Sequence, residues 1–228
     1  MERSKDKFKV GLIQMTSSHV MDDNIRVADE LIRQAASQGA EFILTPEMTT
    51  LLDFESKQVL KKITIERDTS WRHFSSLAKE LGVWLLIGSI AIKVGKKATN
   101  KSFLFSPEGK KIATYDKIHM FDVNLPGEDA YKESSVYVAG TEAVVASLPW
   151  GKVGLSICYD LRFPYLYRAL SHAGAVMLTV PAAFTEQTGT AHWHALLRAR
   201  AIENGAFVFA PAQCGKHTNG RRTYGHSL

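Results

Sequence analysis

Short apolar runs alternate with longer amphipathic segments along this chain. The short runs are bounded by turn residues and predict β-strands; they lie at residues 8–15, 41–45, 83–92, 101–105, 111–117, 143–148, 152–157, 175–180 and 206–211. The amphipathic segments repeat apolar residues every three or four positions and predict helices; they lie at residues 25–36, 71–81, 162–173 and 192–204. Alternating strands and helices are typical of a layered α/β fold.

Two of the predicted strands, residues 83–92 and 175–180, are apolar on both faces. Strands of this kind belong in a sheet that is covered on both sides. No break in composition, low-complexity run or internal repeat divides the sequence, so we predict that residues 1–228 form a single domain. Residues 120–139, which include Pro126 and Gly127, have no clear periodicity and are predicted to form a long functional loop.

The composition is that of a globular protein rather than a membrane-spanning or disulfide-rich one. Of the 228 residues, 45% are hydrophobic and 22% are charged, and no apolar run is long enough to cross a bilayer. Cys158 and Cys214 do not make a disulfide framework, so we expect a cytoplasmic protein with no membrane partner. In that compartment the segment Asn100-Lys101-Ser102, formally a glycosylation sequon, has no meaning.

The net charge of +5 does not indicate a nucleic-acid partner. The basic residues are scattered in short clusters at turns and strand ends, whereas nucleic-acid-binding proteins gather them into a patch or stripe. A solvated surface is the simplest explanation of these clusters. A small anionic substrate is the second interpretation, because a positive cleft would concentrate it.

Residues 151–164, GKVGLSICYDLRFP, carry the first candidate for chemistry. An apolar strand ends at Cys158, and Pro164 opens the helix that follows. A nucleophile is often held at such a turn, where free main-chain N–H groups can receive an oxyanion. The alternative is a small buried thiol that only packs, and this stretch alone favours the packing thiol.

Three further polar residues stand where packing alone would not put them. Glu47 follows a buried strand, Lys117 ends another, and Glu133 lies in the long loop. Taken singly, these side chains are explained as caps, turn residues or charges that reach water. Catalytic groups of α/β proteins gather at the carboxyl ends of strands. Together with Cys158, they supply the nucleophile, proton carrier and oxyanion-stabilising cation that acyl transfer needs.

Two other kinds of site are not supported by the spacing of the residues. A zinc site could draw on Cys158, Cys214, His192 and His194, but two histidines two positions apart on a helix face different ways, and the cysteines have no CxxC spacing. A nucleotide site would need a glycine-rich phosphate loop after a strand, and none is found. We therefore predict no metal and no organic cofactor.

Three separated motifs, TPEM, YDKIHMFD and ICYDLRFP, resemble those of carbon–nitrogen hydrolases of the nitrilase superfamily, and the likeness runs from residue 9 to residue 228. The resemblance implies a four-layer αββα sandwich and a catalytic triad of Glu47, Lys117 and Cys158, with a second family glutamate at Glu133. Within the superfamily the Nit branch, whose members are small-acid amidases, is the most similar. Residues 188–217 resemble deaminated glutathione amidases more than omega-amidases.

The implied reaction is amide hydrolysis through a cysteine thioester. Glu47 would carry protons, Lys117 and the main-chain N–H of Tyr159 would hold the oxyanion, and Glu133 would position Lys117 or water. The ammonium of Lys117 is expected to favour the thiolate of Cys158.

The substrate would be a small carboxylate-bearing amide, and the candidates for binding it are Arg162, Thr188, Lys216 and His217. An omega-amidase acting on 2-oxo acid amides is the second hypothesis. A catalytically dead interaction protein is the third.

Residues 224–228 are predicted to begin a further strand. Relatives in the family continue past this point into strands that complete the sheet and contribute to dimer contacts. The resemblance therefore implies a homodimer for the full-length fold and a sheet that here lacks its usual final C-terminal strands. An open sheet edge invites pairing with another chain, so we expect the 228-residue chain to aggregate or melt early.

Overall fold

A computed structural model describes residues 7–53, 56–63, 70–124, 131–218 and 220–228, without the side chains of residues 56–58. The described strands are β1 (Val10–Leu12), β2 (Phe42–Leu44), β3 (Trp84–Val94), β4 (Lys97–Phe105), β5 (Lys111–Asp116), β6 (Asp122–Val123), β7 (Tyr131–Lys132), β8 (Val144–Leu148), β9 (Gly151–Leu155), β10 (Ala175–Thr179), β11 (Phe207–Phe209), β12 (Cys214–Lys216) and β13 (Arg222–Tyr224). The described helices are α1 (Met21–Ser37), α2 (Ser56–Lys62), α3 (Ser70–Leu81), α4 (Pro164–His172) and α5 (Glu186–Asn204).

Two sheets make up most of the fold. The first has the order β1-β2-β3-β4-β5, with β1, β2 and β3 parallel and the last two strands antiparallel. The second has the order β11-β10-β9-β8, with β9, β10 and β11 parallel and β8 antiparallel to β9. Two short ribbons, β12–β13 and β6–β7, lie outside these sheets.

The two sheets face each other, and helices cover their outer faces. Phe42 and Leu86 of the first sheet share one buried cluster with Leu155 and Leu178 of the second. The same cluster contains Leu170 of α4 and Trp193 of α5. A separate cluster packs α1 and α3 against the other face of the first sheet. The order of layers is therefore helix, sheet, sheet, helix, which confirms the expected αββα sandwich.

Several elements differ from the sequence prediction for local reasons. Helix α5 begins at Glu186 rather than residue 192, because the side chain of Thr185 accepts a hydrogen bond from the main-chain N–H of Thr188 and caps it. The predicted loop at residues 120–139 contains β6, β7 and a 3-10 turn at Glu133–Ser135; Pro126 and Gly127 lie outside the described residues. The sequence reading missed helix α2 altogether.

The sequence predicted that residues 224–228 begin a further strand, but residues 225–228 are not part of a strand in the structure. Strand β13 ends at Tyr224 and pairs with β12. Beyond it, Leu228 exchanges two main-chain hydrogen bonds with Ala210, at 2.7 and 3.2 Å. None of the helices in the described part of the chain is both long and apolar enough to cross a bilayer.

Candidate active site

Four polar side chains from separate parts of the chain meet at one end of the sandwich. Glu47 lies three residues after β2, Lys117 directly follows β5, and Cys158 lies three residues after β9. The ammonium Nζ of Lys117 is 2.8 Å from Oε1 of Glu47 and 3.0 and 2.9 Å from the two oxygens of Glu133. The thiol of Cys158 lies beside the Glu47 carboxylate, and each group shifts the pKa of the other.

The main chain around Glu47 follows a path that depends on a glycine. A Cβ atom at Gly88 of β3 would lie 2.1 Å from the carbonyl oxygen of Thr45 and 2.4 Å from that of Pro46, so a side chain there would push the segment away from β3. Met48 has a positive φ of 56° and donates its N–H to Ser89 Oγ at 2.8 Å. A positive φ is unfavourable for a residue with a side chain, and this contact helps to hold it.

Cys158 also has a left-handed backbone, with a φ of 48°. Its N–H donates to the carbonyl oxygen of Pro181 at 2.9 Å, which anchors this cysteine to the segment that follows β10. A 3-10 turn, Cys158–Arg162, begins at the thiol. The first N–H groups of a helical turn have no partner within it, and Tyr159 is the second residue of this turn.

A fully buried carboxylate supports the turn from below. Asp160 accepts hydrogen bonds from the N–H of Ile157 at 2.8 Å and from the hydroxyl of Tyr115 at 2.8 Å. It also lies 3.0 Å from the main-chain nitrogen of His119 and 2.7 Å from its ring Nδ1. Because His119 is two residues after Lys117, Asp160 links the turn that carries the thiol to the segment that carries the ammonium.

The charges of the site follow from burial and from these contacts. Burial by itself would raise the pKa of Glu47, but the positive charge of Lys117 and hydrogen bonds from Lys117, Cys158 and Asn100 outweigh it and hold that pKa below its ordinary value. Burial would lower the pKa of Lys117, but the charges of Glu133 and Glu47 raise it well above its usual value. The ammonium is therefore charged and the Glu47 carboxylate is ionised at neutral pH.

The thiol of Cys158 is protonated in the resting protein. Burial raises its pKa well above the usual value, and the negative charge of Glu47 raises it further. Lys117 acts in the opposite direction, as expected from the sequence, but its effect is smaller than either of the other two. The expected direction of the Lys117 effect is therefore confirmed, but burial and Glu47 outweigh it and keep the thiol protonated.

The structure reveals one residue of the site that the sequence interpretation set aside. The side chain of Asn100 in β4 is fully buried and donates to Oε1 of Glu47 at 2.9 Å and to Oε1 of Glu133 at 3.3 Å. The sequence carries a signal for this position, because Ala98, Asn100 and Ser102 alternate along β4 and are all buried. The predicted strand began at residue 101 and so excluded it.

A cavity of about 1170 Å³ opens above Cys158 and Lys117. Its wall includes five aromatic side chains, Phe121, Tyr131, Tyr137, Tyr159 and Phe184. Arg221, which the sequence did not single out, also lines it. The guanidinium of Arg221 lies 4.7 Å from the ring centre of Tyr131, and its Nη2 donates to the carbonyl oxygen of Ala183 at 3.2 Å.

Of the four residues predicted to bind substrate, the structure brings Thr188 to the cavity wall. Arg162, Lys216 and His217 are not among its described lining residues. The guanidinium of Arg162 instead lies over the rings of Tyr159 and Phe184, at 5.8 and 5.5 Å. Lys216 is exposed on β12.

His217 is buried and bound to other parts of the fold. Its Nδ1 is 2.8 Å from the carbonyl oxygen of Ser17, and its Nε2 is 2.7 Å from Oγ1 of Thr223. Gln213 of the same stretch donates to the carbonyl oxygen of Glu47 at 3.0 Å. Gln213 therefore supports the segment that carries Glu47, and His217 links Ser17 to β13. The described residues contain no group of three or more His, Cys, Asp or Glu side chains placed to hold a metal ion.

Comparison with known proteins places this geometry in a family. Residues 9–228 match the carbon–nitrogen hydrolase family. A deaminated glutathione amidase from a Synechocystis species is 43% identical over 221 residues, which cover 95% of this chain and 81% of that relative. The NitFhit protein of C. elegans superposes with a TM-score of 0.90 and 35% identity over 97% of this chain, which spans 55% of the NitFhit chain.

An amidase from Nesterenkonia sp. AN1 is also similar, with a TM-score of 0.84 and 26% identity over 99% of this chain and 82% of its own. A variant of that amidase carries the acetamide moiety of fluoroacetamide, added covalently at its active-site cysteine. The match to the family covers nearly the whole chain, and the relatives share both sequence and fold with it. The chain therefore belongs to the carbon–nitrogen hydrolase family.

Proposed function

We propose that this protein hydrolyses a small amide that carries a carboxylate, with deaminated glutathione as the favoured substrate, through a thioester on Cys158. The observation that carries this proposal is the position of Glu47. Its buried carboxylate binds the ammonium of Lys117 and lies beside the thiol of Cys158 at the base of the cavity. Such a carboxylate can accept the thiol proton at the moment when sulfur attacks.

In the first half-reaction the sulfur of Cys158 attacks the amide carbon while its proton passes to Glu47. A C–S bond forms, and the carbonyl electron pair moves onto oxygen. The N–H of Tyr159 and the charge of Lys117 stabilise this oxyanion. When the tetrahedral intermediate collapses, the C–N bond breaks, and Glu47 returns the proton to the leaving nitrogen.

In the second half-reaction water replaces the departed amine. Glu47 takes a proton from the water as its oxygen attacks the thioester carbon, and the C–S bond breaks. The proton then passes to sulfur, which restores the thiol and releases the carboxylic acid. Because the resting thiol is protonated and Glu47 is ionised, proton transfer and attack occur together in our account, without a free thiolate.

The cavity supports a substrate larger than a simple amide. Deaminated glutathione and 2-oxoglutaramate share the same 2-oxo acyl group, but the first releases a dipeptide and the second releases ammonia. A volume of about 1170 Å³ leaves room for the dipeptide. Arg221 supplies a guanidinium at the wall, and a guanidinium is suited to binding a carboxylate through two parallel hydrogen bonds. Relatives named deaminated glutathione amidase support the same choice.

A direct comparison of two substrates tests this proposal. We expect kcat/KM for deaminated glutathione to exceed that for 2-oxoglutaramate, and Cys158→Ala to abolish both activities. A clear preference for 2-oxoglutaramate would assign the protein as an omega-amidase. Absence of turnover of either amide by the wild-type protein would favour the non-catalytic interaction protein.

We also propose that the protein is cytoplasmic and forms a homodimer. Cys158 and Cys214 are both free thiols, which supports a reducing compartment such as the cytoplasm. Family resemblance supports a homodimer. Light scattering on the purified chain would test the assembly directly.

A further inference from the structure

We propose that Asn100 is a positioning residue that bridges Glu47 and Glu133 and holds both carboxylates in place around the ammonium of Lys117. This inference rests on the proposed amide hydrolysis. It assigns a role to a residue outside the predicted set of Glu47, Lys117, Glu133 and Cys158. Asn100 does not line the cavity among the described residues, so its effect would pass through the groups that it contacts.

The geometry is a closed ring of four groups. Oε1 of Glu47 receives hydrogen bonds from Lys117 Nζ at 2.8 Å and from Asn100 Nδ2 at 2.9 Å. Oε1 of Glu133 receives the same two donors, at 3.0 and 3.3 Å. One ammonium and one amide thus share the same pair of carboxylate oxygens. The two hydrogens of the amide nitrogen match the two acceptors.

The charge balance explains why a neutral donor is needed there. Two carboxylates and one ammonium leave a net negative charge in a buried place, and buried charge is stable only when hydrogen bonds surround it. The remaining oxygens receive main-chain donors, Ala183 N–H to Glu47 at 2.9 Å and Phe121 N–H to Glu133 at 2.6 Å. Asn100 supplies the neutral side-chain donor that reaches both carboxylates.

The main chain of Asn100 also binds Lys117. Its carbonyl oxygen accepts the main-chain N–H of Lys117 at 2.9 Å. One residue of β4 therefore fixes the main chain of Lys117 and also the two carboxylates that bind its ammonium. A displacement of about 1 Å in such a constellation is enough to cost on the order of 100-fold in rate.

Loss of the amide has a predictable effect on titration. The hydrogen bond from Asn100 contributes to the lowered pKa of Glu47, together with the larger effect of Lys117. Among the described residues, the titratable groups Cys158 and Tyr137 also face the carboxylates of Glu47 and Glu133. Glu47 must be ionised to take the thiol proton, so activity is lost as the pH falls through the pKa of Glu47. Without Asn100 that loss should begin at a higher pH.

The test is the pH profile of kcat/KM for the full chain with a carboxylate-bearing amide. Asn100→Leu keeps the branched shape of the side chain and removes both donors, and Asn100→Asp adds a third carboxylate. We expect kcat to fall by roughly 10- to 100-fold, KM to change little, and the acid limb to move to higher pH, further in Asn100→Asp. If the leucine variant does not fold, Asn100→Ser replaces it in the test, because its short hydroxyl side chain fits the site but does not supply the two amide donors.

Asn24→Leu is the matched control. Asn24 is also buried and donates twice through its amide nitrogen, to the carbonyl oxygens of Ser18 and Thr50. We expect this variant to lose thermal stability without moving the acid limb. An unmoved acid limb in folded Asn100 variants would overturn the inference. If Cys158→Ala kept full activity, the proposed function would fail instead, so the two failures are distinguishable.

Discussion

The carboxylate of Glu133 binds the ammonium of Lys117 with both of its oxygens, at 3.0 and 2.9 Å. A third contact, to Glu47, accounts for the last of the three ammonium hydrogens. Lys117 can donate to a substrate oxyanion only by giving up one of these contacts. The two hydrogen bonds to Glu133 make this possible. One of them can be replaced by a hydrogen bond to the substrate, while the other keeps the ammonium in place.

We therefore predict that Glu133→Gln lowers kcat by about 100-fold, the scale of a lost oxyanion contact. Glutamine keeps the size of the side chain but has one carbonyl oxygen, and its NH2 group would face the ammonium. Steady-state kinetics of the purified variant would measure this. Glu80→Gln is the control, since Glu80 makes an exposed ion pair with Arg33. Equal rates in the Glu133 and Glu80 variants would show that Glu133 is not needed for the reaction.

Lys117→Met should reduce activity by at least ~100-fold and also change its pH dependence. After burial, the charge of Lys117 is the strongest influence on the pKa of Glu47, and it lowers that pKa. The ionised base is present above this pKa and is lost as the pH falls through it. Without Lys117 the pKa rises, so the acid limb of kcat/KM should move to higher pH.

The matched control for this variant is Lys101→Met, because Lys101 pairs with Asp116 on the same two strands but away from the carboxylate pair. It should keep the wild-type acid limb. If Lys117→Met stays within tenfold of wild type, Lys117 has a structural role and our mechanism loses its cation.

Arg221→Met should raise KM for carboxylate-bearing amides and leave a neutral amide of similar size unaffected. A hydrogen bond to a charged group contributes about 1.5–3 kcal/mol, which corresponds to a factor of roughly 10 to 150. Arg26→Met is the control, because Arg26 makes an exposed ion pair with Glu30 and is not among the described residues that line the cavity. An equal effect of Arg221→Met on charged and neutral substrates would exclude carboxylate binding by this residue.

Asp160→Asn should destabilise the protein by about 3–5 kcal/mol. An amide in place of the carboxylate cannot accept from all four donor groups of Ile157, Tyr115 and His119, and its NH2 group would oppose at least one of them. Thermal or urea unfolding would measure the change. Asp23→Asn, on the exposed face of α1, should stay within about 0.5 kcal/mol of wild type. A similarly small effect at Asp160 would contradict its role in holding the turn.

The hydrophobic pattern was sufficient to predict alternating strands and helices, and the family resemblance implied their four layers. Period-two and helical patterns give the position of most elements, and a buried strand that stops at a polar residue places that residue at the edge of a sheet. Glu47, Lys117 and Cys158 could therefore be proposed together before any contact was known. Their distances depend on how the two sheets pack, and no local pattern encodes that.

The residues that were missed or misplaced depend on contacts across the chain. Asn100 lies 53 positions from Glu47 and 33 from Glu133, and a buried asparagine in a strand gives no local sign of such partners. His217 was predicted to bind substrate because it is a cationic candidate in a distinctive stretch. It instead hydrogen-bonds to the carbonyl oxygen of Ser17, which lies 200 positions earlier in the sequence. Arg221 reaches the cavity through a turn whose course the sequence pattern did not indicate.

The central claim is that Cys158 carries the acyl group, and a comparison of two cysteine variants tests it most directly. The wild-type protein and Cys214→Ala would be mixed with deaminated glutathione, quenched in acid and digested, and the peptides would be weighed for an added acyl group. We predict the acyl group on the peptide that contains Cys158, full turnover by Cys214→Ala, and no turnover by a folded Cys158→Ala. Wild-type turnover by Cys158→Ala would contradict the account.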